Sequence, residues 1–270
     1  MSQSPSLLTQ IDVREALEQG LKERILIFDG AMGTMIQGFG LQEQDFQTEF
    51  TRGLPGAMLG NNEMLSLVRP DVIRSIHDDF LAAGADIIET NTFGANAISQ
   101  ADFATQSLVR EQNLASARIA RQAADAAMAQ NPGIRRYVAG AIGPATKTLS
   151  LSERVDDPSY RSITFEQLKA AYREQVEALI EGGVDTLLVE TIFDTLNAKA
   201  ALVAIAEAHI DLGRRLPIQI SVAITDASGR TLSGQTIEAF WHSIVHSKPL
   251  SVGVNCSLGA KDMRPHVAAL

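Results

Sequence analysis

Cysteine is almost absent from this sequence, which contains a single one, Cys256, among 270 residues. One cysteine cannot form an internal disulfide, so we expect a reducing compartment and a cytoplasmic location. Long apolar runs are also missing, since no segment approaches the roughly 18 unbroken apolar residues of a membrane-spanning helix. Residues 1–5 lack the basic and apolar segments of a signal peptide. These absences predict no association with membranes.

Positive charge is in short supply as well. The sequence has 23 Lys and Arg residues against 32 Asp and Glu residues, which gives a formal net charge of −9. Phosphate binding requires a basic surface, so we exclude nucleic acid as a partner. With 45% hydrophobic residues, the chain has ample material for the core of one domain, alone or within a larger protein.

Short apolar segments alternate with helical patterns along the chain. The segments are rich in Ile, Val, Leu and Ala, and Gly, Pro or polar residues bound them. Because their hydrophobicity is continuous rather than alternating, they predict a parallel sheet that is covered on both faces. The predicted strands are Ile25–Asp29, Ala85–Asn91, Tyr137–Gly143, Val184–Thr191, Ile218–Thr225 and Ser251–Cys256, and the helices between them are Arg69–Ala83, Leu108–Gln130, Thr164–Glu181, Leu196–Ile210 and Thr236–His246.

A weak internal repeat favours a barrel over a doubly wound sheet. Residues 84–90 and 183–191 share the order glycine turn, aspartate, strand and Glu-Thr. No Gly-x-Gly-x-x-Gly or P-loop follows any predicted strand, which removes the usual argument for the doubly wound class. We predict a lead-in helix over residues 1–24 and a (β/α)₈ TIM barrel over residues 25–270. Only six strands are found where the barrel needs eight, so it is expected to be truncated after about six β/α units.

Polar residues stand where several predicted strands end. Asp29, Glu89 and Glu190 close three of them, and Cys256 closes the last. In a (β/α) barrel the active site lies at this end of the strands, so the pattern indicates a common site. Other interpretations stay open: Asp29 as the cap of a turn, Glu190 as one half of an ion pair, and Cys256 as a nucleophile, a metal ligand or an inert core thiol. One cysteine cannot form a zinc site alone.

The segment that follows the first predicted strand suits a ligand that carries both a carboxylate and an ammonium group, as an amino acid does. Its small residues, Gly30 and Ala31, allow backbone N–H groups to approach a carboxylate closely. Asp29 can accept hydrogen bonds from an ammonium group, with Glu190 as a second acid. Glu89 and Asn91, at the end of the second predicted strand, are weaker candidates of the same kind, expected to support the residues that contact the ligand. His242 and His246 have metal-ligand spacing, but we expect them to serve packing or the surface.

Taken together, these residues resemble the homocysteine S-methyltransferase family, and most closely the N-terminal homocysteine-binding module of its cobalamin-dependent members, the methionine synthases. The resemblance covers nearly everything from about residue 22 onward. The matching stretches are Phe28-Asp-Gly-Ala-Met-Gly-Thr34, Arg69-Pro-Asp-Val-Ile73, Gly84-Ala-Asp-Ile-Ile-Glu-Thr-Asn-Thr-Phe93 with its extension Gly94-Ala-Asn96, Gly143-Pro144, Val189-Glu-Thr191, Ser228-Gly-Arg-Thr-Leu-Ser-Gly-Gln235 and Gly253-Val-Asn-Cys256.

The resemblance implies roles for single residues. Asp29 and Glu190 match acids that hold the amino group of homocysteine, and Gly30 and Ala31 match positions whose N–H groups face its carboxylate. Cys256 matches the first of three cysteines that bind a catalytic Zn²⁺, and the other two are expected beyond residue 270. The predicted substrate-binding set is Asp29, Gly30, Ala31, Asn91, Glu190 and Asn255, with Cys256 as the metal ligand.

The resemblance also implies a methyltransferase whose methyl donor comes from other domains. Methylcobalamin would be carried by a cobalamin-binding domain of the same full-length chain, and methyltetrahydrofolate would bind a further domain. The 270 residues alone are then expected to be inactive. Two alternatives remain: a stand-alone homocysteine methyltransferase that uses S-methylmethionine or a similar donor, and a barrel that binds an amino acid without catalysis. A barrel that binds an amino acid without catalysis needs no zinc, so the zinc content of the complete protein distinguishes it from both methyltransferases.

Overall fold

The computed structural model describes residues 10–225 and 228–270, over which helices and strands alternate as the sequence predicts. Short 3₁₀ turns interrupt the long connections at Glu43–Phe46, Asn62–Met64, Ala101–Phe103, Gln106–Leu108 and Val245–Ser247. The strands are β1 (Ile87–Glu89), β2 (Tyr137–Ile142), β3 (Thr186–Ile192), β4 (Ile218–Ala223) and β5 (Ser251–Asn255), and the helices are α1 (Gln10–Glu23), α2 (Met32–Gly38), α3 (Leu65–Val68), α4 (Pro70–Ala83), α5 (Ala97–Gln100), α6 (Val109–Gln130), α7 (Phe165–Gly182), α8 (Thr195–Asp211), α9 (Ile237–Ile244) and α10 (Ala260–Ala269).

The strands form one parallel sheet in the order β1-β2-β3-β4-β5. Each strand pairs with the next one along the chain, and α-helical segments make every crossover. This sequential order is that of a TIM-type barrel rather than of a doubly wound sheet, whose strand order reverses. The prediction of an α/β fold with a partial barrel is therefore confirmed, with five strands in the described part of the chain.

The predicted strand Ile25–Asp29 is wrong as a strand. Of this segment only Phe28 pairs, in an isolated parallel bridge with Ile87 at the β1 edge of the sheet. The opposite side of the segment lacks a neighbouring strand in the described structure, so Ile25 and Ile27 remain 79% and 52% exposed. The apolar pattern thus identifies an extended segment beside β1, but it does not ensure pairing on both sides.

Side chains of the strands alternate between two apolar layers. On the outer face, Ile88 and Leu187 pack among the helices in the main core. On the inner face, Ile87 and Leu188 form a separate cluster with Leu17 of α1, which is 1% exposed. The helix predicted as a lead-in therefore packs against the inner face of the sheet and covers apolar side chains there.

Two glycines of the internal repeat end helices as expected. Gly84 and Gly183 have φ values of 112° and 94°, in the left-handed region where a Cβ is disfavoured. The N–H group of Gly84 donates to Leu81 and that of Gly183 to Ile180, which satisfies carbonyls of the last helical turn. Three residues thus separate each of these helices from the strand that follows it.

The aspartates of the repeat secure neighbouring strands. Asp86 accepts a hydrogen bond from the N–H group of Ile27 at 2.9 Å, and Asp185 accepts one from Val138 at 2.8 Å. Arg24 forms a two-bond ion pair with Asp86, and its two donor–acceptor distances are both 2.6 Å.

None of the described helices combines the length and the apolar character that a membrane crossing requires.

Candidate functional site

A cleft of about 500 Å³ lies at the carboxyl ends of the strands. Its lining contains four carboxylates and, among the described residues, no Lys, Arg or His side chain. Such an acidic, cation-free cleft suits a positively charged group of a ligand. The lining residues are Asp29, Gly30, Ala31, Met32, Gly33, Asn62, Glu63, Glu89, Thr90, Asn91, Thr92, Phe93, Glu190, Thr191, Asn255 and Cys256.

The strand period brings Glu89 and Glu190 to the inner face of the sheet. Ile87 and Leu188 belong to the inner cluster, and each acid stands two residues further along the same strand. Because side chains alternate with a period of two, both carboxylates point toward the barrel interior at its upper end. The sequence interpretation of acids at strand ends therefore corresponds to acids that share one cleft.

Asp29 is held by the backbone of β1. Its two carboxylate oxygens lie 3.1 and 3.0 Å from the nitrogen of Glu89, whose N–H group donates to them. Burial raises the pKa of Asp29 to about 8, and the nearby charge of Glu89 adds to the effect. The carboxyl group is thus fixed in position and holds its proton much more strongly than an aspartate in water.

Glu89 and Glu190 are shifted in the same direction as Asp29. Burial is the main cause of the raised pKa of each, and for Glu190 the charges of Glu89 and Asp29 contribute further. The hydroxyl group of Thr191 donates to Glu190 at 3.4 Å and partly opposes the shift. A cationic group in the cleft would relieve the repulsion among the three acids.

Thr191 interrupts the regular path of β3. The pairing register with β4 shifts between Val189 and Ile192, and Thr191 has a φ of 55°. A positive φ is unfavourable for a β-branched residue, and such strain is often found at functional sites. The N–H group of Thr191 donates to the hydroxyl oxygen of Ser221 at 3.1 Å, which holds this irregular turn in place.

Gly30 and Ala31 line the cleft beside Asp29. Ala31 has a φ of 52° and precedes α2. Neither residue donates a backbone hydrogen bond to any other described residue. Two N–H donors next to the acids therefore remain available to a ligand, as the sequence predicts.

Asn91 has a different environment from the one its position suggests. Its side-chain amide donates to the carbonyl of Asn62 at 2.7 Å and to the hydroxyl of Ser66 at 3.3 Å. Its backbone N–H group donates to Ser116 at 2.7 Å. These contacts join the end of β1 to the 3₁₀ turn Asn62–Met64, to α3 and to α6, so Asn91 helps to build the cleft. A direct role for Asn91 in substrate binding stays a prediction.

Glu63 is a lining acid that the sequence analysis missed. It lies in the 3₁₀ turn Asn62–Met64, far along the chain from any strand end. Its carboxylate accepts a hydrogen bond from the N–H group of Gly94 at 2.8 Å, and burial raises its pKa. The polar run Asn61-Asn62-Glu63 directly before a buried helix was the available signal.

Asn255 connects the two ends of the cleft. Its side-chain amide donates to the hydroxyl of Thr191 at 2.8 Å and to the sulfur of Cys256 at 3.1 Å. The amide oxygen of Asn255 is buried and has no hydrogen-bond partner among the described residues. Cys256 itself is exposed, with a φ of 61°. This exposure rules out the interpretation of Cys256 as an inert core thiol.

The described residues do not form a complete metal site. Within residues 10–225 and 228–270, no group of three or more His, Cys, Asp and Glu side chains could hold a metal ion. A catalytic zinc usually has three protein ligands, and here the thiol of Cys256 stands alone. Zinc binding by Cys256 therefore stays a prediction. His242 and His246 are both exposed, and α9 ends between them at Ile244, in line with the expected surface role.

Comparison with known proteins defines the class of this chain. The model of the homocysteine S-methyltransferase family matches residues 26–270. The chain therefore belongs to the homocysteine S-methyltransferase family, a family of methyltransferases. This match does not separate cobalamin-dependent members from stand-alone ones.

Solved structures of one homocysteine methyltransferase share the fold. The chain is similar to the metallated form of MmuM from Escherichia coli, with 22% identity and a TM-score of 0.69 over 92% of this chain and 80% of that chain. The apo form of the same protein gives 22% identity and a TM-score of 0.62, over 90% of this chain and 76% of that chain. At this identity the likeness concerns the fold alone.

Proposed function

We propose that the protein binds homocysteine in this cleft for the transfer of a methyl group to its sulfur. The observation that carries the proposal is the cleft itself, in which partly buried acids have no basic partner among the lining residues. Free backbone N–H groups and an exposed thiol line the same cleft. Membership of the homocysteine S-methyltransferase family supports the choice of this amino acid.

In this proposal each part of homocysteine has its own partners. The ammonium group binds Asp29 and Glu190, because an ionised donor and acceptor form strong hydrogen bonds in a buried site. The carboxylate binds the N–H groups of Gly30 and Ala31, which donate to no described residue. The thiol then extends toward Cys256 and Asn255 at the other end of the cleft.

We further propose that Cys256 is one ligand of a Zn²⁺ ion. A zinc ion in this family position would lower the pKa of the substrate thiol, which as a free thiol is near 8.5. The side-chain amide of Asn255 donates a hydrogen bond to the sulfur of Cys256 at 3.1 Å and so helps to fix its position. The described residues supply only this one of the three protein ligands that a catalytic zinc usually has.

For the methyl donor we propose methylcobalamin, carried by a separate domain, with methyltetrahydrofolate bound elsewhere. The motifs at residues 92–96 and 228–235 support this choice over S-methylmethionine. The alternative is a stand-alone homocysteine methyltransferase that uses S-methylmethionine or a similar donor. Product assays with each donor separate the two: methionine formed from S-methylmethionine alone would favour the stand-alone enzyme.

Substitution of the two acids tests homocysteine binding. Asp29→Asn and Glu190→Gln should each weaken binding by roughly 1.5–3 kcal/mol, the scale of a hydrogen bond to a charged group. Isothermal titration calorimetry of homocysteine measures the effect. Exposed acids outside the cleft provide matched controls, Asp102→Asn and Glu49→Gln, whose affinities should equal that of the wild type. Unchanged affinity in both cleft variants would remove the acids from the binding site.

A further inference from the structure

We propose that Glu89 is a third acid of the amino-group site, and that binding of an ammonium group displaces a proton shared by Asp29, Glu89 and Glu190. These residues are called the three-acid group below. The inference rests on the proposed function, because it concerns the same cleft and the same class of ligand. It gives Glu89, a weaker candidate in the sequence analysis, a direct contact with the ligand.

The geometry of Glu89 differs from that of its two neighbours. The carboxylate of Asp29 accepts a hydrogen bond from the backbone N–H group of Glu89, and that of Glu190 accepts one from the hydroxyl group of Thr191. The carboxyl group of Glu89 is partly buried in the cleft lining, and no described residue donates a hydrogen bond to it. Both of its oxygens are therefore free to accept hydrogen bonds from a ligand in the cleft.

An ammonium group can supply these hydrogen bonds. It carries three N–H donors, one for each member of the three-acid group. Asn255 also lines the cleft, and its buried amide oxygen has no partner among the described residues. Glu63 stands apart from the three-acid group, because charges within that group contribute to the raised pKa of Asp29 and of Glu190 but not to the raised pKa of Glu63.

The charges around Glu89 explain the exchange with a proton. Every titratable side chain of the cleft lining is an acid or a thiol: Asp29 before α2, Glu63 in its 3₁₀ turn, Glu190 on β3 and Cys256 after β5. Like charges in a buried site cannot all ionise, and the pKa of each member of the three-acid group is raised by burial. The empty group therefore retains a proton near neutral pH.

The exchange balances in charge and atoms. The protonated three-acid group binds R–NH₃⁺, one carboxylic acid loses its proton to solvent, and the ammonium group stays intact. Affinity should then rise with pH between about 6 and 8, by at most tenfold per pH unit for one proton released. An ammonium-binding site with fully ionised acids would show no such dependence.

Calorimetry in buffers with different heats of ionisation measures the proton directly. The ligand is L-2-aminobutyrate with EDTA present, because this amino acid lacks the thiol whose own proton would confuse the result. Wild-type protein should release close to one proton per ligand at pH 7. Glu89→Gln should bind at least tenfold more weakly, the scale of one hydrogen bond to a charged group, and release at most half as many protons. The matched surface control Glu49→Gln should behave as the wild type.

Other outcomes distinguish this inference from the proposed function. Wild-type protein that binds neither homocysteine nor L-2-aminobutyrate would overturn both. Binding without proton release, or equal release by the wild type and Glu89→Gln, would overturn the inference and leave the proposed function intact. If proton release were lost in Glu63→Gln and not in Glu89→Gln, the third acid would be Glu63, and the inference about Glu89 would be overturned. If Glu89→Gln is unfolded by circular dichroism, Glu89→Asp decides, and it should retain the proton release.

Discussion

At the scale of single residues, buried groups that must remain neutral link stability to pH. His77 in α4 is fully buried, and neither ring nitrogen has a hydrogen-bond partner among the described residues. Burial lowers the pKa of His77 from 6.5 to about 4. The unfolded chain therefore binds more protons than the folded one between these pH values, and stability falls as the pH drops below about 6.5.

Substitution of His77 should remove this sensitivity to acid. From the shifted pKa, His77 accounts for roughly 2 kcal/mol of unfolding free energy lost between pH 7 and pH 5. Urea unfolding of wild type and His77→Leu at both pH values measures the loss, which should be smaller in the variant. Asp29 and Glu190 act in the opposite direction, since raised pKa values stabilise the fold at low pH. An equal loss in the two proteins would show that His77 is protonated in the folded state.

Residues of the cleft also show where prediction from sequence stops. Asp29, Glu190 and Cys256 could be selected because each follows an apolar strand segment, and the structure places all three in one cleft. Glu63 could not, because the segment 30–68 has no periodic pattern that fixes its position in space. The internal contacts of Asn91 were equally hidden, since a hydrogen bond across 29 residues leaves no local signal.

At the scale of elements, the apolar pattern of the sequence predicted which segments are helices and extended segments, but not which extended segments pair as strands. Helices such as α4 and α7 lie within one or two residues of their predicted bounds, because glycine stops and a Thr164 cap mark their ends. The segment Ile25–Asp29 has the same apolar character as β3, yet it forms one bridge only. Strand pairing depends on a neighbour elsewhere in the chain, and no local pattern encodes that neighbour.

Gly182 in α7 lies at a tight contact between α7 and α6. A Cβ atom there would lie 2.4 Å from the Cβ of Ala117 in α6, whereas one on Gly20 of α1 would meet only ordinary contacts with Leu26. Gly182→Ala should therefore destabilise the protein by roughly 1–2 kcal/mol, the cost of overpacking less the gain in helix propensity. Gly20→Ala should stabilise it slightly. Denaturant unfolding compares the two, and equal changes would contradict tight packing of α6 against α7.

At the scale of the whole molecule, the sheet has two unlike edges and a protected centre. Every residue of β2 is buried, whereas every residue of β5 is partly exposed. β5 pairs only with β4 among the described strands, and the Phe28 bridge closes the other edge weakly. The cleft sits above this sheet, with Glu89 at the end of β1 and Cys256 directly after the exposed edge strand.

This gradient should appear in hydrogen exchange. Backbone N–H groups of β5 that face away from β4 lack a described partner, so they should exchange at least tenfold faster than those of β2 and β3. Exchange measured by NMR or mass spectrometry at several protein concentrations tests this, with β2 as the internal standard. Protection of β5 equal to that of β2 at every concentration would contradict an open edge. Protection that grows with concentration would mean that a second copy covers the edge, as expected of an unpaired strand. Because Cys256 directly follows β5, either result also tells how firmly the thiol end of the cleft is held relative to its acidic end.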